Sequence, residues 1–275
     1  MNIPLYIRLL PAAAFRAWFT PPPRTPRLEA AEGVERSEIE TERGTITALD
    51  VGEGPVVLAL HGWGGIADQM APIGRRLAGD GYRVIAPDLP GRAGSEPTDL
   101  FEFVATVRAL VQETGRPYGL VAHSFAALSL RLLGDLDGAN PPPAAMVAPA
   151  LSVVDSLATF SRRLRLAPWT EAGLRRRLQE WNPAVFEQLA GPHPEQLGEA
   201  EVLIVHDPAD NQTPFSTAAT LTALRPRTRL VPVEGGGHNG ILAHPETLDA
   251  VSAFFARVGS KAVRGDGRAN RAAAG

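Results

Sequence analysis

The stretch Leu120-Val121-Ala122-His123-Ser124-Phe125-Ala126-Ala127 places a serine where a short apolar run ends and an amphipathic stretch begins. The run predicts a buried strand, and the amphipathic stretch predicts a helix. A serine at so sharp a turn lies at the carboxyl end of a sheet, provided that the residues two before and two after it are very small. Ala122 and Ala126 occupy those positions, where glycine is more common. The pattern therefore indicates a nucleophile at Ser124, and a serine that only caps a helix is the alternative.

A serine is a poor nucleophile at neutral pH, so it needs a base and a group that orients the base. His238 is the predicted base, because its glycine-rich loop follows the last predicted strand and can carry an imidazole back over the sheet. Asp210 follows the predicted strand Val202–Val205 and is the predicted acid, which would fix the imidazole tautomer. Asp207 is its close rival and Asp155 a more distant one. A turn that leads into a helix would explain the aspartates after the strand without any chemistry.

Catalysis by such a serine also needs hydrogen-bond donors for the oxyanion of a tetrahedral intermediate. The motif His61-Gly62-Trp63-Gly64-Gly65 follows another apolar run and turns into a helix. We therefore expect the backbone amides of Trp63 and Phe125 to face the developing charge. The Trp63 indole would lie in the acyl pocket or in the core. His61 and His123 adjoin these motifs and are expected to line the substrate pocket.

Apolar runs alternate with amphipathic stretches from Thr45 onward, which predicts an α/β fold with a mostly parallel sheet flanked by helices. The first two runs are joined through Gly52-Glu53-Gly54 and are expected to pair antiparallel across a tight turn. The predicted strands are Thr45–Leu49, Pro55–His61, Tyr82–Pro87, Tyr118–Ala122, Ala144–Val147, Val202–Val205 and Thr228–Val233. The predicted helices are Ile66–Ala78, Asp99–Glu113, Ala126–Leu133 and Thr247–Val258.

The length of 275 residues fits one hydrophobic core with an inserted segment better than two independent domains. Residues 151–198 contain helical patterns and no predicted strand, which indicates a cap over the active-site face. We expect residues 1–44 to form an N-terminal extension with an amphipathic helix, and residues 45–258 to form the main domain. Residues 259–275 lack apolar periodicity and are expected to be disordered.

The composition is 44% hydrophobic, and the formal net charge is −3. This small charge gives no electrostatic reason to expect nucleic acid as a partner. The sequence contains no cysteine, which excludes disulfides, thiolate metal sites and a cysteine nucleophile. The same absence leads us to expect a cytoplasmic location. Nothing in the sequence selects an oligomeric state.

The segment Met1–Pro23 carries aliphatic and aromatic residues together with Arg8 and Arg16, and it has no acidic residue. Such a composition would suit a helix that lies on a membrane surface. However, Pro4 and Pro11 interrupt the pattern, and the apolar run is too short to span a bilayer. Membrane contact is therefore the less favoured interpretation. A helix packed on the domain or on a partner is the favoured one.

Ser124, Asp210 and His238 occur in the chain order of a catalytic triad on one particular fold. From about Thr45 to Val258 the chain resembles the α/β-hydrolase superfamily. His61-Gly62-Trp63-Gly64 resembles its oxyanion-loop motif, and Asp88-Leu89-Pro90-Gly91-Arg92-Ala93-Gly94-Ser95 resembles its Asp-x-Pro-Gly-x-Gly-x-Ser turn, altered around Arg92. The resemblance implies an eight-stranded sheet, a cap inserted after the sixth strand, and hydrolysis of a small ester or acyl substrate through an acyl-enzyme, without a cofactor or metal.

Other functions are compatible with parts of the sequence. The same triad would serve a thioesterase, a carbon–carbon bond hydrolase or an acyltransferase. A protein of this fold could also bind or act as a scaffold without catalysis. Gly62-Trp63-Gly64-Gly65-Ile66-Ala67 matches a dinucleotide-binding pattern, with Asp88 at the end of the next strand. Asp88 runs directly into Leu89-Pro90-Gly91, which is not typical of a ribose-binding aspartate, so this hypothesis is disfavoured.

Overall fold

A computed structural model describes residues 10–23, 34–133 and 141–272, with side chains as far as Val258. It contains an eight-stranded sheet in the order β1-β2-β4-β3-β5-β6-β7-β8. Strand β2 is antiparallel to both of its neighbours, and the remaining pairings are parallel. The mostly parallel sheet predicted from the sequence is thus confirmed. The strands are β1 (Glu35–Thr41), β2 (Gly44–Val51), β3 (Val56–Leu60), β4 (Arg83–Pro87), β5 (Gly119–His123), β6 (Ala144–Val147), β7 (Val202–His206) and β8 (Thr228–Pro232).

The expected antiparallel pairing of the strands on either side of Gly52-Glu53-Gly54 is wrong, because β4 lies between β2 and β3. Both glycines have positive φ, 80° at Gly52 and 111° at Gly54. A Cβ would lie 2.4 Å from the Tyr82 carbonyl oxygen at Gly52 and 2.3 Å from that of Gly81 at Gly54. The glycines therefore let the chain pass closely against the turn before β4. They mark a close backbone approach rather than a hairpin.

The sheet begins at Glu35, ahead of the expected domain boundary at Thr45. Strand β1 reads Glu-Arg-Ser-Glu-Ile-Glu-Thr, and every residue in it is exposed or half-buried. Such an edge strand pairs on one side only, and its charged residues discourage pairing with other chains. It was missed because it has a single apolar residue, Ile39, and so lacks the pattern of a buried strand.

Helices cover both faces of the sheet, and each face has its own apolar core. On one face Phe103 and Leu130 pack against the sheet, and on the other Leu77 and Phe255 do so. The helices are α1 (Pro11–Trp18), α2 (Ala71–Gly79), α3 (Leu100–Thr114), α4 (Phe125–Leu133), α5 (Val153–Arg163), α6 (Pro168–Trp181), α7 (Pro183–Gln188), α8 (Phe215–Leu224), α9 (Gly237–Gly240) and α10 (Pro245–Ala272). Among the described residues, none of these helices combines the length and apolar character needed to cross a bilayer.

Helix α10 extends to Ala272, into the segment 259–275 for which the sequence predicts disorder. The last three residues lie outside the described part. From residue 259 to residue 272 the segment contains three alanines and three arginines, which favour helix, and three glycines, which disfavour it.

Helices α5, α6 and α7 all lie between β6 and β7, within the interval expected to form a cap. They share a small apolar core that includes Leu157, Leu174 and Phe186. Helix α1 packs on this core through the buried Ala14, and the Trp18 ring meets the Phe160 ring at 5.2 Å. The N-terminal helix is therefore packed on the domain, as the favoured interpretation expected. Residues 1–9 of that segment lie outside the described part of the chain.

Candidate active site

Ser124 lies at the turn between β5 and α4 with φ of 53°, in the left-handed region that non-glycine residues rarely adopt. Such a conformation costs on the order of 1–3 kcal/mol and needs support from its surroundings. The Ser124 amide donates to the Val147 carbonyl at 3.1 Å, and the Ser124 carbonyl accepts from the amides of Ala127 and Ala150, each at 3.0 Å. The sharp turn thus forms with alanine at both small positions, and the main-chain bonds hold it.

The structure brings Ser124, His238 and Asp210 together. His238 lies on α9, directly after β8, and Asp210 follows β7. The Ser124 hydroxyl donates to His238 Nε2 at 2.9 Å, and His238 Nδ1 donates to Asp210 Oδ2 at 2.7 Å. The Asp210 side chain is fully buried and the His238 side chain is 7% exposed. The imidazole is therefore fixed in the tautomer that leaves Nε2 free to accept a proton.

The Asp210 carboxylate is surrounded by donors. Its Oδ1 accepts from the amides of Gln212 at 2.7 Å and Thr213 at 3.2 Å, and its Oδ2 accepts from the Thr213 hydroxyl at 2.9 Å. Burial alone would raise the pKa of Asp210, but hydrogen bonds from His206 and His238 outweigh burial and hold the pKa well below its usual range. Asp210 is consequently ionised at neutral pH.

Two residues at this site were missed by the sequence reasoning. His206 is fully buried at the end of β7, with Nε2 at 3.4 Å from Asp210 Oδ2. The Thr213 hydroxyl lies 3.2 Å from His206 Nε2 and 3.5 Å from His238 Nδ1. A buried carboxylate needs several donors, and this requirement was the available signal. A histidine four residues before the acid and a threonine three residues after it could have been recognised as those donors.

The two rival aspartates have other partners. The Asp207 carboxylate accepts from the amides of Ala209 at 2.8 Å and Gly237 at 2.6 Å, and these bonds lower its pKa. Asp207 therefore anchors the loop that carries the histidine. Asp155 accepts a hydrogen bond from the Thr217 hydroxyl at 2.7 Å, which ties α5 of the cap to α8.

The loop that contains Trp63 passes directly beside Ser124. A Cβ on Gly62 would lie only 2.9 Å from Ser124 Cβ, so no larger residue fits there without displacement. The rings of Trp63 and Phe125 meet edge-to-face at 5.1 Å. Within the part of the chain that the structure describes, the amides of Trp63 and Phe125 donate no hydrogen bond. Two free amide donors are thus available next to the nucleophile, one on Phe125, which follows it in the sequence, and one on Trp63 in the neighbouring loop.

The expected pocket role of His61 is wrong. His61 is fully buried, donates from Nδ1 to the Gly62 carbonyl at 2.8 Å and accepts at Nε2 from the Leu89 amide at 3.0 Å, and it is absent from the cavity wall. Its ring fastens the Trp63 loop to the turn after β4. Adjacency in the sequence placed His61 near the site, but the direction of its side chain is set by these inward bonds.

His123 borders the cavity, as expected, but it is only 2% exposed. Its Nε2 donates to the main-chain carbonyl of His238 at 2.9 Å. Burial chiefly, with repulsion from His238, lowers the pKa of His123 to about 3. His123 is therefore neutral at ordinary pH, and its polar contact holds the loop of the base.

A cavity of about 870 Å³ opens above Ser124. Most of its wall is apolar, and one part of the wall comes from the cap. A second part of the wall comes from the N-terminal segment, which was not expected from the sequence. Among the described residues, no group of three or more His, Asp or Glu side chains has a metal-binding arrangement. The apolar residues of the wall include Trp18, Phe19, Trp63, Phe125, Leu128, Val153, Phe160, Leu164, Leu178, Trp181, Val185, Phe186 and Leu189.

Asp88 is the aspartate that a dinucleotide-binding site would need for the ribose. Its Oδ1 accepts from the Ala67 amide at 2.9 Å and so caps the short helix Ala67–Met70. One carboxylate oxygen of Asp88 is thus used within the fold, and Arg36 lies 3.8 Å from the other, which disfavours a ribose-binding role. A sequence model of the alpha/beta hydrolase family matches residues 56–251 of the chain. The chain belongs to the α/β-hydrolase family. No curated protein sequence matches this α/β-hydrolase significantly.

Many solved structures share the fold at low sequence identity. A putative lipase from Acinetobacter baumannii is 18% identical with a TM-score of 0.63, over 95% of this chain and 99% of that one. An esterase from Pyrococcus furiosus is 19% identical with a TM-score of 0.62, over 87% and 97%. A meta-cleavage product hydrolase from Pseudomonas fluorescens is 18% identical with a TM-score of 0.62, over 81% and 98%. At such identities the likeness establishes the fold of this α/β-hydrolase and not its substrate.

Proposed function

We propose that this α/β-hydrolase cleaves ester-type acyl bonds of small molecules, with Ser124 as nucleophile, His238 as general base and acid, and Asp210 as the residue that orients the base. The hydrogen-bonded series from Ser124 Oγ through the His238 ring to Asp210, at 2.9 Å and 2.7 Å, is the observation that carries the proposal. A scaffold protein would not need this alignment at the floor of an apolar cavity. A cytoplasmic location, inferred from the lack of cysteine, is part of the same proposal.

In the first half of the reaction Ser124 Oγ attacks the ester carbonyl carbon while its proton passes to His238 Nε2. The imidazolium that forms is stabilised by the ionised Asp210. The carbonyl oxygen becomes an oxyanion, which accepts from the amides of Trp63 and Phe125. Each such donor contributes about a hundred- to thousandfold in rate. The intermediate collapses as the carbon–oxygen bond to the alcohol breaks, and the alcohol leaves with the proton from His238.

In the second half His238 Nε2 takes a proton from water as the water oxygen attacks the acyl-enzyme. A second oxyanion forms in the same place and collapses. The bond to Ser124 Oγ then breaks, the serine recovers its proton from His238, and the carboxylic acid leaves. No step requires a cofactor. A thioester or an activated carbon–carbon bond could enter the same cycle, and the apolar cavity supports acyl substrates as a class.

Labelling with a fluorophosphonate probe and hydrolysis of p-nitrophenyl acetate test the proposal. The wild-type protein should react with both, and Ser124→Ala should react with neither. Ser216→Ala removes an exposed hydroxyl on α8 and is the matched control, so it should behave as wild type. Failure of the folded wild-type protein to react with the probe and with the ester would overturn the proposed function.

A further inference from the structure

The cavity above Ser124 has one wall that belongs neither to the sheet domain nor to the cap. This wall is the segment Ala13–Pro23, which we call the N-terminal strap, and it consists of most of α1 and the residues after it. The Phe19 ring meets the Trp181 ring of α6 at 5.0 Å, and the Trp18 ring meets the Phe160 ring of α5 at 5.2 Å. The strap and the cap thus enclose the cavity from two sides.

Specific contacts seat the strap and also Pro11, which lies just before it at the start of α1. The Phe19 carbonyl accepts from the Thr98 amide at 2.9 Å. A Cβ on Gly64 would lie 2.8 Å from Pro22, and a Cβ on Gly173 would lie 2.6 Å from Pro11. Gly64 belongs to the loop beside the nucleophile, and Gly173 belongs to α6 of the cap. Two glycines on different elements therefore leave the space in which the prolines of this segment fit.

We propose that the N-terminal strap, together with α5 and α6, forms the binding site for the acyl chain of the substrate, and that this site selects medium to long aliphatic chains. This inference rests on the proposed function. Its occupant must be apolar, because the aromatic and aliphatic residues of the strap and cap meet there. Three charged residues also border the cavity. Arg16 and Arg163 are exposed, and the half-buried Asp99 uses its carboxylate to accept hydrogen bonds from the first amides of α3.

The size of the cavity supports a chain rather than a short acyl group. A volume of about 870 Å³ lies near the upper end for ligand-binding pockets and far exceeds the need of an acetyl group. Each methylene moved from water into such a site favours binding by about fourfold. The gain appears in kcat/KM when the chain is held in the transition state as well as in the ground state.

The test compares p-nitrophenyl esters from acetate to decanoate, kept monomeric in solution. For the wild-type protein kcat/KM should rise with chain length to at least the octanoate. Phe19→Ala and Trp181→Ala should each lower kcat/KM for decanoate by about tenfold or more, and for acetate by less than about twofold. The matched control is Trp169→Ala, which removes a tryptophan of the same helix that is 51% exposed and not part of the cavity wall. Its chain-length profile should equal that of the wild type.

A substitution that fills the cavity tests the same site without removing packing. Ala17 lies in the wall of the cavity, and Ala17→Trp should place a large ring there. The decanoate should become a poorer substrate than the butyrate, while hydrolysis of the acetate stays within about twofold of wild type.

Chain-length profiles of Phe19→Ala, Trp181→Ala and Ala17→Trp that remain parallel to wild type would overturn this inference. A wild-type enzyme that hydrolyses acetate and decanoate equally well would do the same, and in both cases the proposed function would stand. A wild-type protein that neither reacts with the fluorophosphonate nor hydrolyses any ester would overturn both.

Discussion

His123 donates a hydrogen bond from Nε2 to the main-chain carbonyl of His238 at 2.9 Å, so the residue before the nucleophile holds the loop that carries the base. The two rings are 5.0 Å apart, and the pKa of His123, lowered to about 3 chiefly by burial, keeps its ring neutral beside the imidazolium that forms in catalysis. Two hydrogen bonds therefore connect the turn of the nucleophile with the loop of the base. One joins Ser124 Oγ to His238 Nε2, and the other joins His123 Nε2 to the His238 carbonyl. His123 is a positioning residue.

Replacing His123 should disturb the reaction more than substrate binding. We expect His123→Phe to lower kcat by about tenfold or more, because a misplaced base transfers the proton less well, and to leave KM within about threefold. His123→Gln keeps a side-chain donor and should recover part of kcat. The effect should be constant from pH 5 to pH 9, since His123 does not titrate there. A rise in KM at unchanged kcat would contradict a positioning role.

Gly62 lets the loop of Trp63 approach the nucleophile, because a Cβ at this position would lie 2.9 Å from Ser124 Cβ and 3.2 Å from the His123 carbonyl oxygen. Gly62→Ala must shift the loop, and the Trp63 amide with it. Loss of an oxyanion donor should lower kcat/KM by about a hundredfold. Gly79→Ala is the control, since a Cβ there meets nothing within 4 Å, and it should retain full activity. Equal activities of the two variants would show that the loop does not carry a donor.

Local sequence patterns were sufficient to select the candidate catalytic residues, because these residues lie at the ends of strands. Ser124, Asp210 and His238 each follow an apolar run, and the carboxyl ends of parallel strands share one edge of a sheet, so the structure brings the three together. Strand β1 escaped notice because pairing at the sheet edge requires no apolar stripe. The orientation of His61 also could not be read from its neighbours, because its partner Leu89 is distant in sequence.

The position of the N-terminal strap is a second case in which the sequence was insufficient. Its apolar residues predicted that a helix would pack, and the structure shows packing on the cap. No local pattern, however, indicates which surface a helix will cover. Here the surface is specified by shape, because Pro11 and Pro22 fit against Gly173 and Gly64. Such complementarity between distant residues is visible only after folding.

Asp210→Asn should abolish most of the activity while the fold persists. An asparagine can present its amide nitrogen to His238 and favour the wrong tautomer, which in a triad costs about 10⁴-fold in kcat. Asp207→Asn should have a smaller effect, because Asp207 holds Gly237 and does not contact the imidazole. Steady-state kinetics of both variants distinguishes the roles of the two aspartates. A larger loss with Asp207→Asn would reverse the assignment.

Asp210 should also make stability depend on pH. Its pKa in the folded protein lies below the ordinary value of 3.8, so the folded state binds the proton more weakly than the unfolded state does. Its contribution to the free energy of unfolding is therefore fully present above about pH 5 and is lost as the pH falls below 3.8. The Tm of the wild type relative to that of Asp210→Asn should therefore fall as the pH is lowered from 5 to 3. A difference that is independent of pH would contradict the lowered pKa.

Arg131 fixes the base of the cap to α4. The guanidinium is buried and donates to the Leu151 carbonyl at 2.6 Å, the Gln188 carbonyl at 2.7 Å and Gln196 Oε1 at 2.5 Å. Burial lowers its pKa to about 10, so it remains charged at neutral pH. The Arg131 side chain thus connects Leu151, where the chain enters the cap, with Gln188 and Gln196, where the chain leaves it.

Arg131→Met keeps much of the volume but removes the donor of the Leu151 carbonyl and of Gln196 Oε1, whereas the Gln188 carbonyl still accepts from Gln196 Nε2 at 2.8 Å. We expect a loss of about 3 kcal/mol or more in the free energy of unfolding, since each unsatisfied buried polar group costs about 1–3 kcal/mol. Limited proteolysis should then cut within residues 151–198 at protease levels that leave wild type intact. Arg176→Met on the exposed face of α6 is the control and should change stability by less than about 0.5 kcal/mol. Equal stability of the two variants, measured by urea unfolding, would show that the contacts of Arg131 do not hold the cap in place.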